Sequence, residues 1–202
     1  MRWEGQKSHD LGILRVAAED GAGVSRLDQN RTFLPVNIAL LTVSDTRSAA
    51  DDRSGNTLAE MATASGHRIV ARRIIKDELS EIAALLRAWV ADAEVDVVIA
   101  TGGTGVTGRD VTPEAFHSVY EKEIAGFGEL FRWLSYDKIG TSTIQSRATA
   151  GVAGGTYLFA LPGSPSACRD AWEGILVHQL DNRFRPCNFV ELMPRLQEHL
   201  KG

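Results

Sequence analysis

The chain predicts an α/β protein: a three-layer α/β/α sandwich built around a mostly parallel sheet. Three observations carry that expectation. Short, nearly continuous apolar runs recur at "VNIALLTV" (36–43), "VDVVIAT" (95–101) and "TYLFAL" (156–161), as in strands buried on both faces. Segments with helical apolar spacing separate them. The clearest is "ELSEIAALLRAWVADA" (78–93), where Leu79, Ile82, Leu85, Leu86, Trp89 and Val90 form one stripe. Each apolar run then leads into a loop rich in glycine, serine or aspartate.

The elements follow in order. Residues 1–33 are polar and weakly patterned, which predicts a poorly structured N-terminal arm with at most a short helix at 11–18. The first strand, 36–43, gives way to the polar loop "SDTRSAADDRSGN". "TLAEMATASGH" (57–67) reads as a helix ending at Gly66, a natural left-handed cap. "RIVARRII" (68–75) is a second strand, and its arginines place it near a sheet edge. After the helix at 78 and the third strand, Thr112-Pro113-Glu114 reads as N-cap, first-turn proline and early acid of a helix running to about Tyr120. "GFGELFRWLSYDKI" (126–139) is a further helix. Its Phe127, Phe131, Trp133 and Tyr136 span more than one face, so some are core and the excess hints at a subunit interface. After the strand at 156–161, Ser164 and Pro165 open another helix, and Pro194 marks a short final one. One domain, 34–190, is expected, followed by a tail, 191–202.

Composition narrows the function. With 202 residues, 44% of them hydrophobic, the chain can bury an ordinary core. A net charge of −4 disfavours a nonspecific nucleic-acid or membrane binder. Neither a signal-peptide pattern nor a membrane-length apolar run is visible, and Cys168 and Cys187 form no C-x-x-C pair, so a cytoplasmic protein with reduced thiols is expected. The five histidines lack zinc-ligand spacing, and there is no G-x-S-x-G.

Ligands of open α/β sheets bind beyond the carboxyl ends of the strands. Here those ends lead to Asp45, Asp51, Asp52 and Ser54-Gly55, to "TGGTGVTGRDVTPEA" (101–115), and to Pro162-Gly163-Ser164-Pro165. Gly102, Gly103, Thr104 and Gly105 could bring bare backbone amides close to a phosphate, as could the helix start at Ser164. No Walker A lysine follows, and no G-x-G-x-x-G follows the first strand, so neither a P-loop nor a dinucleotide site is indicated. The alternative reading of the glycines is a tight turn. Asp77 and Asp110 would reach the same edge, and paired carboxylates beside a phosphate cradle suit Mg²⁺. From spacing alone, capping the helix at 78 is the stronger reading of Asp77, and Asp110 could equally cap the helix at 113. Arg109 and Arg147 are candidates for phosphate contact. "TSTIQSRATAG" (141–151), with Ser146, offers hydrogen-bond groups to a heterocycle, or is an ordinary loop.

Taken together, "LTVSDTRS…DDRSGNTL", "TGGTGVTGRDVTPEA", "SRATAG" and "LPGSPSA" resemble the MoaB/Mog family of molybdenum cofactor biosynthesis proteins, in the family's order and over roughly residues 35–190. "GFGELFRWLSYDKIGTSTIQSR" and "RPCNF" look closer to the MoaB branch. The resemblance implies a molybdopterin-binding fold. It also implies transfer of adenylyl from Mg²⁺-bound ATP to the terminal phosphate of molybdopterin. Gly102 to Gly105 would match the phosphate loop, Asp110 and Asp77 the functional aspartates, and Ser146, Gly163 and Ser164 the pocket lining. Lys76 stands where the family usually has proline before the second aspartate. The resemblance further implies a homotrimer or hexamer working with other molybdenum cofactor biosynthesis proteins. The alternative is a non-catalytic protein that binds or relays molybdopterin.

Overall fold

Six segments pair into one sheet: β1 (Asn37–Val43), β2 (Arg68–Ile75), β3 (Val97–Thr101), β4 (Lys122–Glu123), β5 (Thr149–Ala153) and β6 (Thr156–Leu161). The structure, a computed structural model, describes residues 26–200; the short helix expected at 11–18 lies outside them. The spatial order is β2-β1-β3-β6-β5-β4. β2, β1, β3 and β6 run parallel, and β5 pairs antiparallel with both β6 and β4. The sheet is therefore mostly parallel, with β5 alone reversed. β2 lies at an edge, as its arginines suggest.

Alternation along the central strands feeds two separate cores. Ile38 and Leu40 of β1, with Val97 and Ile99 of β3, pack under α1 (Arg53–Ala64), α4 (Ala125–Ile139) and α5 (Pro165–Ala171). Ala39, Leu41 and Val43, with Val98 and Ala100, pack under α2 (Leu79–Val90) and α3 (Thr112–His117). This is the three-layer arrangement that period-2 strands buried on both faces require. α5 runs on through a wider π turn, Trp172–Leu176, which places Trp172 in the first core.

Three differences from the sequence reading have physical causes. α1 starts at Arg53, four residues earlier than expected, because the Asp52 carboxylate caps it by accepting from the Gly55 amide. A Cβ at Gly55 would meet that carboxylate at 2.1 Å, so the glycine that looks like loop punctuation is what admits the cap. β5 lies within a stretch that reads as polar loop. Its Ala-Gly composition hides the strand, and at Gly151 the Tyr120 ring occupies the place of a side chain. Thr112 is the first residue of α3 and not its N-cap, which is Val111.

The segment from Arg26 to Leu34 is irregular yet tied down. Leu27 bridges Phe184, the Leu34 amide donates to Asn182 Oδ1 (2.9 Å), and Arg31 donates to the Asn182 carbonyl (2.6 Å). No helix among the described residues is long and apolar enough to cross a membrane.

His67 links this segment to the core. Its ring lies between Phe33 and Trp172, and its Nδ1 accepts from the Val36 amide (3.3 Å). Burial lowers its pKa to about 4, against a smaller opposing pull from Asp181. An unfolded histidine protonates near ~6.5. Between there and about 4 the unfolded chain binds more protons, so stability is complete above that window and is lost as pH falls through it. Thermal melts from pH 7.5 to 4.5 should show a steeper loss for the native chain than for His67→Asn, which keeps an acceptor but cannot protonate. Parallel curves would remove the assignment.

Candidate functional site

The parallel strands β2, β1, β3 and β6 bring their carboxyl ends to one edge of the sheet. Their loops meet around Gly163. Its carbonyl accepts from Ser54 Oγ (2.7 Å) and from Arg47 Nη2 (3.0 Å). The Gly102 amide donates to the Leu161 carbonyl (3.0 Å), and Thr101 Oγ1 to the Pro162 carbonyl (2.8 Å). A Cβ on Gly163 would stand 3.2 Å from the Gly102 Cα, so backbone touches backbone there. This contact separates two hollows. One, of about 450 Å³, is lined by Gly103, Thr104, Gly105, Asp110, Ser146, Gly163 and Ser164, with Phe131 and Ile139 as apolar wall. The other, of about 840 Å³, is lined by Ser44, Thr46, Arg47, Arg53, Gly102, Gly103, Gly163 and Ser164. Gly102, Gly103, Thr104, Gly105, Ser146, Gly163 and Ser164 therefore line one or other of these adjoining hollows, whereas Ser54 and Gly55 line neither.

The glycine loop needs its glycines. Gly102 (φ 103°) and Gly103 (φ 63°) are left-handed, and a Cβ on Gly102 would lie 2.2 Å from the Val43 carbonyl oxygen. Gly103 abuts Asp77, whose Oδ2 would be 2.5 Å from an added Cβ, and Gly105 abuts Asp110, at 2.7 Å. The two acids thus flank the loop. Neither caps a helix: the N-caps of α2 and α3 are Glu78 and Val111, and neither start has a side-chain cap bond. Asp77 Oδ1 instead accepts from the Val111 amide (3.2 Å). Asp110 Oδ2 accepts from the Thr107 hydroxyl (2.6 Å) and amide (2.8 Å).

Their electrostatics differ. Burial raises the pKa of Asp77, and the charges of Asp110 and Asp45 add to the rise. Burial also works against ionisation of Asp110, but hydrogen bonds from Thr107 and the Gly105 backbone outweigh it and hold that carboxyl below its ordinary value. Such crowding of like charge is relieved by a cation. Among the described residues no group of three or more His, Cys, Asp or Glu gathers as a metal-ligand set. A Mg²⁺ ion at Asp77 and Asp110 would complete its shell with water and phosphate oxygens, an ordinary arrangement for that ion. The buried Thr112 hydroxyl, beside Asp77 at Gly103, has no hydrogen-bond partner. The donor set fits.

The arginines expected to meet phosphate are already occupied. Arg109 forks onto Asp45 (2.9 and 3.1 Å) and reaches Glu78 (2.9 Å). Arg147 donates to the carbonyls of Gly105 and Asp110 (2.6 Å each) and pairs with Glu114, clamping both ends of the loop. The arginines that line the crevice are Arg47 and Arg53, neither singled out from the sequence, and Arg47 donates to the Gly163 carbonyl there. Their only signal is their place in the polar loop after the first strand.

Residues 39–182 match the family model described as "Probable molybdopterin binding domain". Molybdenum cofactor biosynthesis protein B of Escherichia coli (strain K12) is 52% identical over 157 residues, 78% of this chain and 92% of that protein. A solved structure of a molybdenum cofactor biosynthesis protein B superposes with a TM-score of 0.75 at 36% identity, covering 83% of this chain and 99% of that one. The tungsten cofactor synthesizing protein MoaB from Pyrococcus furiosus gives 0.64 at 30% identity, covering 83% and 98%.

Because ionised Asp77 is held among like charges, Asp77→Asn should not destabilise the protein. Asparagine keeps the acceptor for the Val111 amide and removes the charge. Its melting temperature at pH 7.5 should equal or exceed that of the native chain, and a clear drop would show that the carboxylate is structural.

Proposed function

The chain belongs to the molybdenum cofactor biosynthesis protein B family, and from that premise we propose that it is a Mg²⁺-dependent molybdopterin adenylyltransferase. The observation that carries this reading is the glycine loop at the crevice, flanked by Asp77 at Gly103 and by Asp110 at Gly105. The reaction needs no protein nucleophile. An oxygen of the pterin's terminal phosphate attacks the α-phosphorus of ATP, a new P–O bond forms, and the α–β anhydride bond breaks with its electron pair leaving on pyrophosphate. Catalysis is then placement and charge stabilisation. Backbone amides of Gly103 and Thr104 hold phosphate oxygens, Gly163 and Ser164 border both hollows, and Ser146 lines the smaller one. Its apolar wall of Phe131 and Ile139 suits a flat heterocycle. Mg²⁺, when bound by Asp77 and Asp110, supplies neutralisation of phosphate charge.

The protein is cytoplasmic in this reading and hands its product to other molybdenum cofactor biosynthesis proteins. It self-associates as a homotrimer or hexamer. Support comes from an apolar stripe on α4 and the turn after it, where Trp133, Tyr136, Ile139 and Ile144 are 71%, 51%, 55% and 77% exposed.

Purified protein mixed with molybdopterin, ATP and Mg²⁺ should yield adenylyl-molybdopterin and pyrophosphate. Asp110→Asn should lose on the order of 100-fold in turnover while remaining folded. Tight pterin binding with no adenylylated product would replace the enzyme by a binding or relay protein.

A further inference from the structure

The arginines of β2 have no part in the site described so far. Two of them, Arg72 and Arg73, line a separate hollow of about 570 Å³ at the β2 edge of the sheet, beside the loop after β1. Arg47, Arg72 and Arg73 line it together with Thr42, Ser48 and Asn56. Asp52 is the one carboxylate in the lining. It is 2% exposed, and it already caps α1, accepts from Thr42 Oγ1 (2.9 Å) and pairs with Arg72 (3.3 Å). The other two guanidinium groups meet neutral oxygens. Arg73 Nη1 donates to the Arg72 carbonyl (3.0 Å), and Arg47 donates to Ser54 and to the Gly163 carbonyl. The hollow therefore carries about two uncompensated positive charges. Arg47 also lines the 840 Å³ hollow, so the two cavities share a wall at the entrance to the glycine loop.

We propose that this hollow is an anion subsite that takes the terminal phosphates of a phosphoanhydride, either free pyrophosphate or the distal end of a nucleoside triphosphate. Guanidinium forks match phosphate oxygens, and a concave basic wall concentrates their field. An anhydride whose α-phosphate sits at the glycine loop would have its far end directed past Arg47 toward Arg72 and Arg73. The subsite rests on the adenylyl-transfer reading only for the source of that anhydride.

The test is calorimetric titration of the full-length protein with inorganic pyrophosphate, with no divalent ion added, followed by ATP and by AMP. Arg73→Gln is the variant of choice, because Arg73 supports no buried carboxylate. It should keep its melting temperature and weaken pyrophosphate binding about fivefold, the loss of one charge-assisted contact. Arg73→Glu should weaken it further, and AMP should bind as before. A matching loss for ATP assigns the subsite to the nucleotide tail as well; a loss for pyrophosphate alone assigns it to the free product. Unchanged pyrophosphate affinity in both variants, or an equal loss for AMP, overturns the proposal. If adenylyl transfer is absent and pyrophosphate binding still depends on Arg73, the subsite stands and the catalytic reading falls.

Discussion

The site depends on one contact, the convergence of three loops on the Gly163 carbonyl. Ser54 comes from the first turn of α1, Arg47 from the loop after β1, and Gly102 presses its backbone against the same residue. These residues lie more than a hundred positions from Gly163 or across the neighbouring strand. Only the parallel run of β1, β3 and β6 brings them to one edge. The contact has no room for side chains. A methyl group on Gly102 would collide with the Val43 carbonyl, and one on Gly163 would press on Gly102. Glycine here is a condition of closure, and closure divides the crevice into its two hollows.

From that constraint the charges divide between the two faces of the sheet. Asp77 leads into α2 and touches the start of α3, so it belongs to the α2–α3 layer. Arg47 and Ser54 belong to the α1–α5 layer. Asp110 lies in the loop between, and Arg147 fixes it through two backbone carbonyls. Arg147 can do this because it lies two residues before β5, the single reversed strand, whose antiparallel course makes it begin at the edge where the parallel strands end.

Much of this was legible in the sequence. The strands at β2 and β6 have the expected bounds, and Gly66 has the predicted left-handed backbone (φ 91°). β6 succeeds because an apolar run must be buried on both faces, β2 because arginines among apolar residues suit a half-exposed edge strand, and Gly66 because a positive φ wants glycine. The misses have other causes. The strand at β5 and the occupation of Arg109 and Arg147 depend on partners distant in sequence, whereas the early start of α1 turns on a local cap, Asp52 onto the Gly55 amide, that a polar loop conceals. Asp110 and Asp77 looked like helix caps because a carboxylate before a helix usually is one. What excludes it is that each carboxylate turns toward the glycine loop, a direction set by tertiary packing and invisible to spacing.

The same division of charge gives the crevice an orientation. A phosphorylated ligand that lay reversed would place its most anionic end in the smaller hollow, against Asp110 and Asp170. Lying the other way, it meets Arg47 and Arg53, which outnumber Asp51 in the larger hollow, and the adjoining hollow is basic. The apolar wall of Phe131 and Ile139 is on the far side of the Gly102–Gly163 contact, where an uncharged ring system is stabilised and a phosphate chain is not. A ligand with an aromatic end and an anionic end therefore has one favourable direction across this edge. That direction is fixed by backbone topology before any side chain makes a specific contact.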